Sequence, residues 1–359
     1  MVGRRIPIML GAALALGAAV TCSSFSADDQ VTPSPDRDAA PDGDVERSAD
    51  AAVLDADAGE SKCDGGCTFA AGEPEVSAIS VDNANVYWVT TVADGGVRSC
   101  PKTGCGANGP TTIVGGLDHP RGLAVLAPEL YWTSQGVSGI ERCNMSACAA
   151  SAIPVATALD GGDELATDGD YVFGIQGNGG QNYARCSVEA GTCAVGGNIN
   201  GSPPNRLTAH GGFGFFSSSP GNGGIRKYNS SATAIPLTGN GTAGGERGLA
   251  VTPDGTTIVF LDSSGVVEKV ATNLMQQTPV PMATLAKPQS IVVDALHAYI
   301  TDFGSGSGDA VFACALADCA NTLKTLALAN RPFAIAIDEA NVYYSDTGGS
   351  GAILRVAKP

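Results

Sequence analysis

Four close cysteine pairs are the first groups in this chain that could do chemistry: RSCPKTGC (Cys100, Cys105), ERCNMSAC (Cys143, Cys148), FACALADC (Cys314, Cys319) and the looser ARCSVEAGTC (Cys186, Cys193). A fifth pair, Cys63 and Cys67, brackets Asp-Gly-Gly, and the eleventh cysteine, Cys22, stands alone. Paired thiolates hold zinc when two pairs, or a pair and histidines, converge on one ion. In an oxidising compartment they close short disulfides instead. No histidine lies near any pair, so disulfides are expected in all five.

The other candidates are sparse. The chain has three histidines, His119, His210 and His297, and no GxSxG, HExxH or phosphate-loop motif. Neither a catalytic triad nor a helical zinc-hydrolase site is therefore expected. Asp82, Asp168, Asp294 and Asp338 each follow a short apolar run. They read either as an acidic ring for calcium or as Asx turns, in which the carboxylate accepts backbone N–H groups just downstream. The segments TDFGSGSGDA (301–310) and SDTGGSGA (345–352) mix Asp with Gly and Ser. Their carboxylates are sparse for a calcium loop, so no cofactor is expected, with calcium as the alternative. Finally, Arg121, Arg206, Arg247 and Arg331 each precede an apolar run, and guanidinium groups suit carboxylate or phosphate ligands.

Charge and the N-terminus bound the setting. The formal net charge is −16, which repels phosphate backbones and excludes nucleic acid as an expected partner. MVGRRIPIMLGAALALGAAVTC reads as an export signal: Arg4 and Arg5, then an apolar stretch from Ile6 to Val20, then small residues. That stretch is short for a membrane-spanning helix. Ala19-Val20-Thr21-Cys22 resembles a bacterial lipobox, which implies a lipid on Cys22 and explains the odd cysteine; cleavage after Ser26 would leave a soluble protein instead. Residues 23–62 hold 11 acidic and 3 basic side chains, with no aromatic after Phe25. They are expected to be a disordered acidic tether. The expected organisation is thus 1–22 signal, 23–62 tether and 63–359 folded domain, exported and held to a membrane by lipid, or secreted or periplasmic without it.

What must position the candidate groups is a repeat. The runs AISVD, GLAVL, ELATD, RLTAH, GLAVT, SIVVD and AIAID place Ile79, Leu123, Leu165, Leu207, Leu249, Ile291 and Ile335 at intervals of 44, 42, 42, 42, 42 and 44 residues. Each is followed by a second β-rich run (NVYWV, ELYWT, YVFGI, GFGFF, TIVFL, HAYIT, NVYYS), a Gly/Ser/Asp loop, and in most units third and fourth runs such as GVRSC and TTIVG. Short β-branched and aromatic runs between turn residues are strands, and four per unit of about 42 residues describe propeller blades. Only 24 residues follow Ile335, 18 short of a unit, and Ser61 to Ala78 number 18. The chain is therefore read as an all-β, seven-bladed propeller whose last blade takes its outer strand from the N-terminal side.

ELYWTS, AYITD and NVYYSD, each after an IxVD-like run, resemble the YWTD and NHL-type propeller families. That resemblance covers residues 63–359 and implies a ring of wedge-packed sheets, with Asp302 and Asp346 structural. In such a ring the cysteine pairs sit across the outer hairpins, within disulfide reach. His210 and His297 fall on the face opposite the loops that enter each blade, away from His119. The four arginines ring the entry-loop mouth of the central channel, as a site for an anionic ligand or as bridges to neighbouring blades. Glu73, Glu75, Asp118, Asp160, Asp163, Glu164 and Glu246 share that mouth. The expected function is a binding or scaffolding module of the bacterial envelope without catalysis, its partner an envelope protein, a glycan or a small anionic ligand. The alternative is a propeller enzyme, a metal-dependent lactonase-like hydrolase or a lyase resembling the streptogramin-inactivating propellers.

Overall fold

A computed structural model describes residues 66–359 apart from 136–137, 161, 177–181, 197–203, 219–223, 230–233, 240–246 and 304–307. The expected signal with Cys22, the expected tether and Cys63 lie outside the described residues. The chain forms seven four-stranded antiparallel sheets. Their inner strands are Val76–Val81, Leu123–Leu126, Gly162–Thr167, Pro204–His210, Gly248–Val251, Pro288–Val293 and Pro332–Ile337, numbered below as blades 1 to 7. Each inner strand touches the next, and the seventh touches the first. The ring is a closed seven-bladed propeller.

Second strands explain why the sequence reads as nearly continuous apolar runs rather than alternating ones. In Asn85–Thr90 the side chains of Val86, Tyr87, Trp88 and Val89 are all buried, because each blade is covered on both faces by its neighbours. Seven apolar clusters result, one at every blade joint. Trp132 packs toward blade 1, Phe173 toward blade 4 and Tyr299 toward blade 7. Burying such side chains contributes about 1.5–3 kcal/mol each.

Closure uses the expected N-terminal strand. Cys67–Ala71 pairs antiparallel with Ala352–Ala357, becoming the outer strand of blade 7. The chain then turns into blade 1 through Gly72 and Glu73, whose N–H groups donate to the Gly351 carbonyl at 3.0 and 3.2 Å. Gly351 has φ +75°, and a Cβ there would run into the Glu73 carbonyl, so glycine is required. Glu73 is buried, accepting from Trp88 Nε1 and Arg98 Nη1 at 2.7 Å each. The join between first and last blades is thereby both hydrogen-bonded and ion-paired.

Four disulfides form as paired in the sequence: Cys100–Cys105, Cys143–Cys148, Cys186–Cys193 and Cys314–Cys319. Cys67 is also disulfide-bonded. Only Cys186 and Cys193 face each other across two strands. The other three pairs tie a third strand to the turn after it, where Cys148 and Cys319 begin single four-residue helical turns. The bridges are consistent with an extracellular or periplasmic protein. Among the described residues no helix is long and apolar enough to cross a membrane.

Opposite the entry loops, the recurring aspartates close Asx turns, and Asp168, Asp294 and Asp338 also reach the next blade. Asp294 Oδ1 accepts from Leu296 and His297 N–H at 2.9 and 2.8 Å, and its Oδ2 from Tyr299 Oη and Lys358 Nζ, both at 2.9 Å. Asp338 repeats the clasp with Tyr343 and Lys102, Asp82 with Tyr87, and Asp168 takes Gly212 N–H of blade 4. Burial works to raise the Asp294 carboxyl, but the Leu296 N–H, the Lys358 ammonium, the His297 N–H and the Tyr299 hydroxyl outweigh it and hold it at about 2. Folding thus depresses this carboxyl below its ordinary 3.8, so its stabilisation is full above about pH 4 and is lost as pH falls through about 2. Asp294→Asn is expected to cost about 1–2 kcal/mol at pH 7. In thermal unfolding across pH, the gap to wild type should narrow from pH 4 downward.

Candidate functional site

The entry mouth is shaped by a bulge at the start of the inner strands. Register slips between Pro204 and Arg206, Pro288 and Ser290, and Pro332 and Ile335, and a bulge leaves backbone groups out of the ladder. Buried second-strand hydroxyls take them up: Ser217 accepts from Arg206 N–H, Thr301 from Ser290 and Ser345 from Ala334, and Thr133 likewise from Gly122. These are the Thr and Ser of ELYWT, AYIT and NVYYS and their blade 4 equivalent. One residue further on, Asp302 accepts from Ala286 and Lys287 N–H, and Asp346 from Asn330 and Gly348 N–H. The entry loops are held from below by side chains of the second strands.

Above this scaffold lies a cavity of about 690 Å³, lined by the inner strands of all seven blades. Ser77, Thr91, Arg121, Asp163, Arg206 and Gln289 give it polar walls around the branched residues of the repeat. Arg121 and Arg206 are occupied. Arg121 Nη1 reaches Asp163 of blade 3 at 2.6 Å, and its Nη2 lies 2.7 Å from the Gln135 amide oxygen once that amide is oriented to accept. Arg206 of blade 4 donates to Glu164 of blade 3 at 3.1 Å and to the Arg247 carbonyl of blade 5 at 2.8 Å. Glu164 also accepts the Leu207 N–H at 2.6 Å. Burial raises its carboxyl despite Arg206 and Leu207.

Arg247 and Arg331 differ. Among the described residues neither guanidinium makes an ion pair. Arg331, at φ +59°, turns its side chain over the Phe303 ring at 5.5 Å. Lys287, between them at the entry to blade 6, is exposed and equally without a carboxylate partner. The sequence repeat could have found it, since Lys287-Pro288 stands four residues before Ile291 as Arg331-Pro332 stands four before Ile335. The mouth thus has a neutralised arc on blades 2–4 and a cationic arc on blades 5–7.

The mouth carboxylates are similarly divided. Asp163 and Glu164 serve the arginines, and Glu73 is withdrawn beneath Trp88 and Arg98. Asp118 pairs with the His119 ring. Glu246 and the side chain of Asp160 lie outside the described residues. His210 ends an inner strand and His297 begins a second strand, both on the opposite face. Among the described residues no group of three or more His, Cys, Asp or Glu converges as for a metal.

No protein-family model and no curated protein sequence matches the chain. Among solved structures, virginiamycin B lyase from Staphylococcus aureus is similar, with a TM-score of 0.63 at 14% identity over 82% of this chain and 98% of that one. A catalytically inactive histidine-to-alanine variant of that lyase with quinupristin gives 0.63 at 13% identity, over 82% and 98%. The computationally designed protein Ika8 gives 0.56 at 11% identity, over 79% and 83%. At such identities the likeness is one of fold, and a propeller fold hosts many activities.

The two arcs predict different mutational costs. Arg206→Ala leaves Glu164 without its cation and should destabilise by about 1–3 kcal/mol, read by chemical denaturation. Arg247→Ala removes no paired contact and should change stability by less than about 0.5 kcal/mol.

Proposed function

We propose that this chain is an exported propeller that acts as a binding module, anchored to a bacterial envelope membrane by lipid on Cys22 through the tether of residues 23–62. Its entry mouth takes an acidic glycan. The observation that carries this reading is the arc of Arg247, Lys287 and Arg331, whose side chains make no ion pair among the described residues, beside a polar cavity spanning all seven blades. Guanidinium and ammonium groups suit the carboxylates of an acidic sugar. The serine, threonine and glutamine walls suit its hydroxyls, which donate and accept. The hydroxyl-capped bulges also support grouping the chain with YWTD-like propellers.

A lyase reading has the fold of virginiamycin B lyase in its favour. Against it, the single mouth-face histidine, His119, is a half-exposed residue beside Asp118 and does not line the cavity. Quinupristin incubated with the chain and then chromatographed should be recovered unchanged; conversion would replace the binding reading.

The binding reading is tested by titrating the full chain against an oligogalacturonide and a neutral malto-oligosaccharide of equal length. The acidic probe should bind and weaken as salt rises. Arg247→Glu with Arg331→Glu should reduce its affinity at least about tenfold, each tenfold being about 1.4 kcal/mol, whereas Arg121→Ala should do far less. Equal binding of both sugars, or acidic binding indifferent to the double variant, would remove the cationic arc as the site.

A further inference from the structure

Below its rim the cavity differs from side to side. On blades 5, 6 and 7 three consecutive aliphatic residues of each inner strand line it: 249–251 (LAV), 291–293 (IVV) and 335–337 (IAI). Blade 1 continues this wall through Ile79 and Val81, interrupted by Ser80. Among the described residues, blades 2–4 contribute only Leu123, Leu165, Leu207 and Thr208 at the same depths. Val251, Val292 and Ile337 keep part of their surface open. Open aliphatic surface inside a cavity favours an apolar group that covers it.

This wall stands on the same side as the cations. Arg247 is two residues before Leu249, and Lys287 and Arg331 are each four before Ile291 and Ile335. Arg331 is fixed at the rim by its N–H, which donates to Asp309 at 3.0 Å. Between the two layers, blade 6 places Gln289 and Ser290, and blade 7 places Phe333. From the mouth inward, this side is cationic, then polar and aromatic, then aliphatic. A second cavity, of about 400 Å³, shares Val81 and Ile337 with the first and is lined by Asp82, Asp338, Glu339 and Lys102 toward the opposite face. Lys102 pairs with Asp338 at 3.3 Å, so that end is net acidic. It repels an anion that the entry mouth attracts, and an anionic head group stays at the rim.

We propose that the acidic sugar bound at the mouth carries a single aliphatic chain, which lies along the wall of blades 5–7. The ligand class is an acidic glycolipid, a uronic acid with one alkyl or acyl substituent. The proposal rests on the reading of the mouth as an acidic-glycan site and adds the chain to it. Three strand residues rise about 7–10 Å, the length of a chain of roughly six to eight carbons.

The test is a calorimetric titration of the full chain with glucuronic acid, hexyl glucuronide, octyl glucuronide and octyl glucoside, the alkyl sugars kept below their micelle-forming concentrations. Affinity should rise about two- to fourfold for each methylene, so that octyl glucuronide binds at least about a hundredfold more tightly than glucuronic acid. Octyl glucoside lacks the carboxylate and should bind at least about tenfold more weakly than octyl glucuronide. Raising salt should weaken the glucuronides alone. Val251→Thr with Val292→Thr keeps the side-chain shape and puts hydroxyls in the wall; it should cut the gain from the octyl chain at least about fivefold. Equal affinity for glucuronic acid and octyl glucuronide would overturn the proposal and leave the glycan reading standing. Equal affinity for octyl glucuronide and octyl glucoside, or no binding of either glucuronide, would overturn both. A chain-length gain untouched by the double variant would put the chain elsewhere and overturn the proposal; should that variant fail to fold, the chain-length series on the wild type still decides.

Discussion

Every blade of this protein must have both faces covered. A four-stranded sheet whose second strand carries Val86-Tyr87-Trp88-Val89 or Leu130-Tyr131-Trp132 has no face to offer water. It is stable only when wedged between two others. That requirement propagates from blade to blade until it returns to its origin, so a chain of such units must either close or leave apolar sheet exposed. Closure is where the chain invests its most specific chemistry. The strand Cys67–Ala71, the Gly351 turn and the buried Glu73 between Trp88 and Arg98 occupy the joint where the two ends of the described chain meet.

With the blades fixed by apolar burial, polar side chains decide what the two faces of the ring look like. On the face opposite the entry loops, aspartates close their own turns and then bind a tyrosine hydroxyl, a lysine or a backbone N–H of the next blade. On the entry face, second-strand hydroxyls and aspartates take up the N–H groups that bulges set free. The same division of labour recurs around the ring, and it makes the entry mouth a rigid platform. Ligand-facing loops on a rigid scaffold are where binding function ordinarily resides.

The mouth is not electrostatically uniform, and its asymmetry follows from which positions carry a carboxylate one blade away. Blade 3 begins Gly162-Asp163-Glu164 and so neutralises both Arg121 before it and Arg206 after it. Among the described residues, blades 5 to 7 begin with Gly248, Pro288-Gln289 and Pro332-Phe333, which supply no such partner. Their cations remain available while the acidic side chains of blade 6 are drawn underneath, bound to backbone. A ligand approaching that side meets positive charge first, although the chain as a whole is strongly acidic.

The repeat of 42 to 44 residues, with four β runs in each unit, was enough to read the all-β class, seven blades and closure by the N-terminal strand, because wedge packing imposes one spacing on every blade. Cysteine pairs at five and seven residues were legible for a related reason: so short a loop can bridge only its own turn. What the linear chain withheld was pairing between blades. Arg121, Arg206, Arg247 and Arg331 look alike before their apolar runs, and only the meeting of blades 2, 3 and 4 shows that the first two are bound to Asp163 and Glu164. Lys287 is marked in the sequence as Arg331 is, by a following proline and a place four residues before the core residue, but a lysine among arginines breaks the run of one residue type. That Asp309 Oδ1 is buried without a hydrogen-bond partner among the described residues depends on packing that spacing does not carry. Spacing along the chain carries local geometry; which charges meet is decided only when the ring closes.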